Sequence, residues 1–132
     1  KMENITVHSY YRDMPTLMHA ADFIVSRAGS SSISEILAVN LPSLLIPFPY
    51  AADNHQYFNA LDLSNKDMAY LIEEADLDKD KLSNIIIKNL NNAERLQIMR
   101  NNIKKNFTAK AVSSIVTDIV NNLETENLKN KK

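Results

Sequence analysis

Phe23-Ile24-Val25-Ser26-Arg27-Ala28-Gly29-Ser30-Ser31-Ser32-Ile33-Ser34-Glu35-Ile36-Leu37 carries a short apolar run directly into a serine-rich turn and then into a helical pattern. A β-branched run of this length reads as a strand, and the spacing of Ile33, Ile36 and Leu37 reads as one apolar helix face. The only Gly of the chain, Gly29, stands at the junction. Glycine there lets the backbone turn tightly from the end of a strand into a helix.

Outward from this junction the same alternation continues. Strands are expected at Ile5 to His8, Phe23 to Ser26, Ser43 to Ile46 and Met68 to Ile72, with helices over Met14 to Ala21 and Ser32 to Val39 and another beginning near Asp53 or Asn54. This βαβαβ order predicts an α/β domain, a parallel sheet with helices packed on it. Runs as apolar as Phe23-Ile24-Val25 and Leu44-Leu45-Ile46 suit a sheet covered on both faces. The later half reads as helices. Leu82, Ile85, Ile86 and Leu90 make one amphipathic face, Leu96, Met99 and Ile103 the next, and Val112, Val116, Ile119 and Leu123 a last one. Asn91-Asn92 reads as a break between helices. The domain is expected over residues 1–107, a C-terminal helix over 108–126 and a disordered Asn/Lys tail over 127–132. The missing Gly-rich first turn and the small number of strands lead us to expect further residues of the same natural domain before Lys1.

Composition narrows the function classes. The 132 residues are 45% hydrophobic and 23% charged with a formal net charge of -1, which suits one globular domain and offers no cationic surplus for a phosphate backbone. Nucleic acid is therefore not expected as a partner. Without Cys there is neither a disulfide framework nor a thiolate metal site, and His8, His19 and His55 are too far apart for a metal motif. No apolar run approaches the roughly 20 residues of a membrane span, so any membrane contact is expected to be peripheral.

Four stretches are candidates for chemistry. Free N–H groups at the start of the helix after Gly29, with the hydroxyls of Ser30, Ser31 and Ser32, form an anion site suited to a diphosphate, and no Gly-Lys-Ser/Thr follows as a nucleotide-triphosphate loop would require. The same residues also read as a plain serine cap. Glu35 offers a carboxylate to a ribose diol, yet Ser32-Ile33-Ser34-Glu35 equally fits a capping box. After Pro47 and Pro49, His55, Gln56 and Asn59 fall in the first turns of a helix, where amides can pair with sugar hydroxyls as donors and acceptors; a solvated helix start is the plainer reading. Tyr10-Tyr11-Arg12-Asp13-Met14-Pro15 supplies an aromatic and apolar lip, or else a loop in which Asp13 caps a helix with Pro15 in its first turn.

In order and spacing, Asp13-Met14-Pro15, Ala21-Asp22, Ser26-Arg27-Ala28-Gly29, Ser34-Glu35-Ile36, Leu41-Pro42, Pro47-Phe48, His55-Gln56 and Asn59-Ala60 resemble the donor-binding half of the MurG-type bacterial glycosyltransferases. The likeness covers about residues 8 to 75 well and the helical remainder in pattern. It implies a GT-B transferase of two Rossmann-like domains, of which this is part of the C-terminal one, binding UDP-N-acetylglucosamine. By that resemblance Glu35 takes the ribose, Gly29 to Ser32 face the diphosphate, Gln56 and Asn59 lie near the sugar hydroxyls with His55 beside them, and Tyr11 and Met14 surround the uracil. It further implies an inverting transfer to the undecaprenyl-pyrophosphoryl muramyl-pentapeptide acceptor, lipid I to lipid II, in peptidoglycan synthesis for cell wall growth and cell division. The acceptor is reached through an N-terminal domain that also carries the catalytic base, at the cytoplasmic face of the inner membrane, with no metal or other cofactor. The fragment alone is then expected to be inactive. Asn40 replaces the family's usual Gly before Leu41-Pro42 and is the next-best residue for a left-handed helix cap. The alternative implied by the superfamily is the donor-binding part of another UDP-sugar transferase, such as a glycolipid synthase.

Overall fold

The structure, a computed structural model, describes residues 4–107. Three strands, β1 (Ile24–Ser26), β2 (Ser43–Leu45) and β3 (Ala69–Leu71), form one parallel sheet in the order β1-β2-β3. Val25 lies opposite Leu44, and Leu44 opposite Tyr70. Helix α1 (Met14–Ala20) precedes β1, α2 (Ser30–Ala38) and α3 (His55–Asn65) make the two crossovers, and α4 (Lys79–Leu90) and a fifth helix, α5, at residues 93–107 follow the sheet. Consecutive parallel strands joined by helices are the βαβαβ order expected from the alternation.

Local chemistry accounts for the boundaries. Asp13 caps α1 by accepting from Thr16 N–H at 3.3 Å, and Pro15 occupies its first turn. Helix α2 ends in a Schellman turn: Asn40 adopts φ 57°, Leu41 N–H donates to Ile36 O at 3.1 Å and Asn40 N–H to Leu37 O at 3.1 Å. Helix α3 ends in the same way through Asp67, φ 56°, with Met68 N–H donating to Leu63 O at 2.9 Å. Both turns are closed by burial of the residue that follows, Leu41 and Met68.

The core gathers Met18 of α1, Ile36 of α2, Ala60 and Leu63 of α3, Leu45 and Ala69 of the sheet and Ile103 of α5. β2, the middle strand, is buried along its whole length. The expected α5 face is buried as read, with Leu96, Met99 and Ile103 each at or below 5% exposure. Arg95 fastens α5 to the far end of the sheet, through both carboxylate oxygens of Asp67 and through the Tyr70 hydroxyl at 2.9 Å.

Several expectations are corrected. Residues 5–8 form no strand: Ile5 and Val7 are 62% and 87% exposed, and β1 pairs only with β2, so this segment has no ladder to join. The sheet is not covered evenly either, since Val25 on the edge strand is 40% exposed. On α4 the expected apolar face holds for Leu82, Ile85 and Ile86, whereas Leu90 is exposed and Asn89 is buried. Asn89 tolerates burial because its side-chain N–H donates to Ile85 O at 2.8 Å. The helix expected at 108–126 and the tail at 127–132 lie outside the described residues.

Candidate functional site

The carboxyl ends of β1 and β2 deliver the N-termini of α2 and α3 to one edge of the sheet, the side where open α/β folds bind ligands. Gly29 is the N-cap of α2, and Ile33 N–H is the first to close a helical bond, to Gly29 O at 2.9 Å. The N–H groups of Ser30, Ser31 and Ser32 therefore have no helical partner, and a glycine cap has no side chain to supply one. Partial positive charge and three hydroxyls meet at this turn.

Because α2 begins at Ser30 with Gly29 at the N-cap, the position from which a capping-box carboxylate reaches back is Ser32, and Glu35 lies three residues beyond it. The capping-box alternative needs Ser32 at the N-cap, and Ser32 lies inside the first helical turn instead. The serine-cap alternative fails for the same reason. The Glu35 carboxylate makes no hydrogen bond or ion pair among the described residues, and Glu35 lines a cavity of about 230 Å³ between α1 and α2, with Met14, Pro15 and Met18 on the other wall. Met14 and Glu35, far apart in the chain, thus share one cavity.

Gly29 itself has φ −66° and ψ 147°, values open to any residue. The tight turn expected of it does not need its conformational freedom. A Cβ at this position would have Gln56 Nε2 as its nearest neighbour, at 3.9 Å, which is ordinary contact. What the missing side chain leaves clear is the approach to the Ser30 to Ser32 amides.

Gln56 and Asn59 of α3 reach this same turn. Asn59 Nδ2 donates to Ala28 O at 3.4 Å, and Gln56 Oε1 accepts from Phe48 N–H at 3.0 Å while its Nε2 lies beside Gly29. Ser30 and Asn59 also line a groove of about 410 Å³ between α2 and α3, floored by Ile33, Leu37, Leu63 and Met68. His55 is directed elsewhere: its Nδ1 bonds Ala52 O at 2.7 Å, inside its own turn. The turn ahead of α3 places Asp53 and Asn54 at φ 50° and 53°, so two consecutive residues are left-handed. Tyr11 stacks edge-on against His8 at 5.2 Å between ring centres and lines neither cavity.

Of the expected residues, then, the fold gathers Gly29, Ser30, Gln56 and Asn59 at one turn and Met14 with Glu35 in the neighbouring cavity, with α2 between them. Ser31 and Ser32 contribute through their amides at the same turn, and Tyr11 and His55 stand apart. Sequence reasoning passed over Arg27 except as a landmark. Its Nη1 bonds Pro47 O at 3.3 Å and Glu74 Oε2 at 2.5 Å, and its guanidinium lies 5.7 Å from the Phe48 ring centre. A cation two residues ahead of Gly29, at the strand-to-helix turn, was the available signal. Among the described residues no group of three His, Asp or Glu side chains converges as a metal site, and no helix is long and apolar enough to cross a membrane.

Residues 1–115 match the glycosyltransferase family 28 C-terminal domain. The UDP-N-acetylglucosamine--N-acetylmuramyl-(pentapeptide) pyrophosphoryl-undecaprenol N-acetylglucosamine transferase of Sulfurihydrogenibium sp. (strain YO3AOP1) is 37% identical over 125 residues, 95% of this chain and 35% of that protein. The protein of the same name from Halalkalibacterium halodurans is 48% identical over 80 residues, 61% of this chain and 22% of the other. The crystal structure of Acinetobacter baumannii MurG superposes with a TM-score of 0.69 at 26% identity, covering 76% of this chain and 28% of that one. The chain spans about a third of the length of the first of these relatives. The Rossmann-like parallel sheet expected from the sequence is the fold these proteins share with it, and the chain belongs to the glycosyltransferase family 28 C-terminal domains.

Proposed function

We infer that this chain is the donor-holding part of a transferase that moves N-acetylglucosamine from UDP-N-acetylglucosamine to the undecaprenyl-pyrophosphoryl muramyl-pentapeptide, the step from lipid I to lipid II of peptidoglycan synthesis. The observation that carries the reading is the meeting of Gln56 and Asn59 with the unpaired first turn of α2 at Gly29. One end of this site offers amide N–H groups and a helix dipole, suited to a diphosphate. Next to it stand neutral amides, suited to hydroxyls and an acetamido group. On the other side of α2, Glu35 and Met14 give a carboxylate for ribose and an apolar wall for a planar base, while Tyr11 and His55, which line neither cavity, are given no contact with the donor.

In the transfer, the acceptor hydroxyl displaces UDP at the anomeric carbon with inversion. The α2 N-terminus meets the leaving diphosphate as its charge grows, which is where preorganised N–H groups lower a barrier most. Acceptor binding and the catalytic base are assigned to an N-terminal domain, so the described residues belong to the nucleotide-sugar half. The lipid nature of the acceptor places the work peripherally at the cytoplasmic face of the inner membrane, in wall growth and division. The names borne by its relatives support this substrate over a glycolipid synthase.

The test is a titration of the chain with UDP-N-acetylglucosamine, UDP-glucose and UDP, followed by backbone amide NMR. Saturable shifts at Gly29 to Glu35 and at Gln56 and Asn59, with preference for the N-acetylglucosamine donor, are expected. A folded spectrum that stays unmoved by all three ligands overturns the assignment of the site to this chain alone.

A further inference from the structure

The loops that leave the three strands are tied together by one side chain. Arg27, after β1, places Nη1 3.5 Å from Ile46 O and 3.3 Å from Pro47 O, both after β2, and 2.5 Å from Glu74 Oε2, after β3. Its guanidinium also faces the Phe48 ring. Phe48 is held between Pro47 and Pro49, and its N–H is the group that binds Gln56 Oε1 at 3.0 Å.

That last bond decides what Gln56 can offer. A primary amide has one oxygen and one NH₂ group at opposite ends. With the oxygen held by Phe48 N–H, the NH₂ is the end left facing the turn at Gly29, where Nε2 is found. Turned over, the same side chain would present an acceptor instead. The position of Phe48 N–H therefore sets whether Gln56 donates or accepts at the site, and Arg27 sets the position of the Pro47-Phe48 peptide.

We propose that the Arg27–Glu74 pair is a positioning device that locks the strand exits so that Gln56 presents its NH₂ to the donor sugar. Neither residue touches the sugar; both act through Pro47 and Phe48. The proposal rests on the reading that Gln56 lies at the sugar end of the site. Stability is a poor explanation for the pair, because its side chains are 49% and 44% exposed and such pairs add little to folding. Glu74 supplies the counter-charge that keeps the guanidinium over the loop, and it comes from the exit of β3.

The experiment compares the wild-type chain with Glu74→Ala, Glu74→Gln and Arg27→Lys, measuring affinity for UDP-N-acetylglucosamine and for UDP, and in the free chain the hydrogen exchange of Phe48 N–H and the side-chain amide resonances of Gln56. Glu74→Ala is expected to lower affinity for the UDP-sugar about tenfold, the scale of one lost hydrogen bond. UDP affinity and melting temperature should hold. Phe48 N–H should exchange faster and the Gln56 amide signals should move, Glu74→Gln should restore most of the loss because it still accepts from Arg27, and Arg27→Lys should behave like Glu74→Ala because lysine has no planar guanidinium to lie over Phe48 while its nitrogen bonds Pro47 O and Glu74. Equal losses for UDP and UDP-sugar, or unchanged Phe48 and Gln56 signals in Glu74→Ala, overturn the positioning role. Should the wild-type chain bind UDP and its sugar conjugate equally, the assignment of Gln56 to the sugar fails, while the ligand-free signals still decide whether Glu74 orients Gln56.

Discussion

Gln56 Nε2 lies 3.9 Å from the point where a Cβ on Gly29 would sit, although the two residues belong to different helices that start from different strands. The only glycine of the chain is thus neither strained nor crowded by its own protein. Gly29→Ala should leave the fold intact and its stability close to unchanged, because the gain of about 0.4–1 kcal/mol where alanine fits without strain is offset by alanine's poorer capping at the α2 N-cap. It should at the same time weaken UDP binding, since the methyl group takes up space between the start of α2 and Gln56 Nε2. Thermal denaturation and calorimetric titration of the same variant check both expectations. A drop in stability would show that the glycine serves the fold after all.

Glu35 gives the complementary case. With no partner for its carboxylate among the described residues, Glu35→Ala should change stability by no more than about 0.5 kcal/mol, as for surface positions generally. Loss of a charge-assisted bond to the ribose should weaken UDP binding by about 1–3 kcal/mol. Chemical denaturation alongside UDP titration separates the two quantities, and unchanged UDP affinity removes Glu35 from the site.

Asn40 carries a cost that the chain has not removed. It holds the left-handed position of the α2 Schellman turn, and its Oδ1 is buried without a hydrogen-bond partner among the described residues. Asn40→Gly relieves both the backbone penalty and the orphaned oxygen, so a gain of about 1 kcal/mol is expected. Asn40→Ala keeps the backbone penalty, which makes the order of melting temperatures Gly above Asn above Ala the outcome to check.

The Asp67–Arg95 pair predicts a pH dependence. The hydrogen bonds and charge of Arg95 hold the Asp67 carboxyl below its ordinary value of 3.8, against the opposing effect of burial. Arg95 is raised in turn, by Asp67 and then Tyr70, and stays charged throughout. A carboxylate whose folded pKa is the lower one stabilises the fold fully above its unfolded value and loses that contribution as pH falls through the folded value. Asp67→Asn should therefore destabilise at neutral pH, by on the order of 1 kcal/mol given that the carboxylate is nearly half exposed. That difference should shrink as pH drops below 3.8 and also in high salt, which urea denaturation at several pH values would read.

The parallel α/β class, the helix boundaries near Asp13 and Asn91 and the left-handed cap at Asn40 were legible in the residues themselves. Each depends on neighbours within a few positions, so period, capping groups and special backbone conformations are written locally. Residues 5–8 misled for a related reason. Apolar alternation shows that a segment could pair, and only the sheet shows whether a partner strand lies beside it. Asn89 and Leu90 exchanged their expected environments because the end of a helix meets its neighbours at a phase that packing sets.

What the sequence alone determined about this protein is its architecture, the turn at Gly29 and the residue types gathered around it, because these follow from spacing along the chain. Only the tertiary structure decided that α2 begins at Ser30, which frees Glu35 from capping, that Glu35 and Met14 share a cavity, and that His55 bonds within its own turn while Gln56 reaches Gly29. It alone revealed Arg27 and Glu74 as one unit across three strand exits, 47 positions apart in the chain. Orientation and long-range contact depend on how the crossovers bring distant segments to one edge of the sheet, and no local pattern encodes that distance.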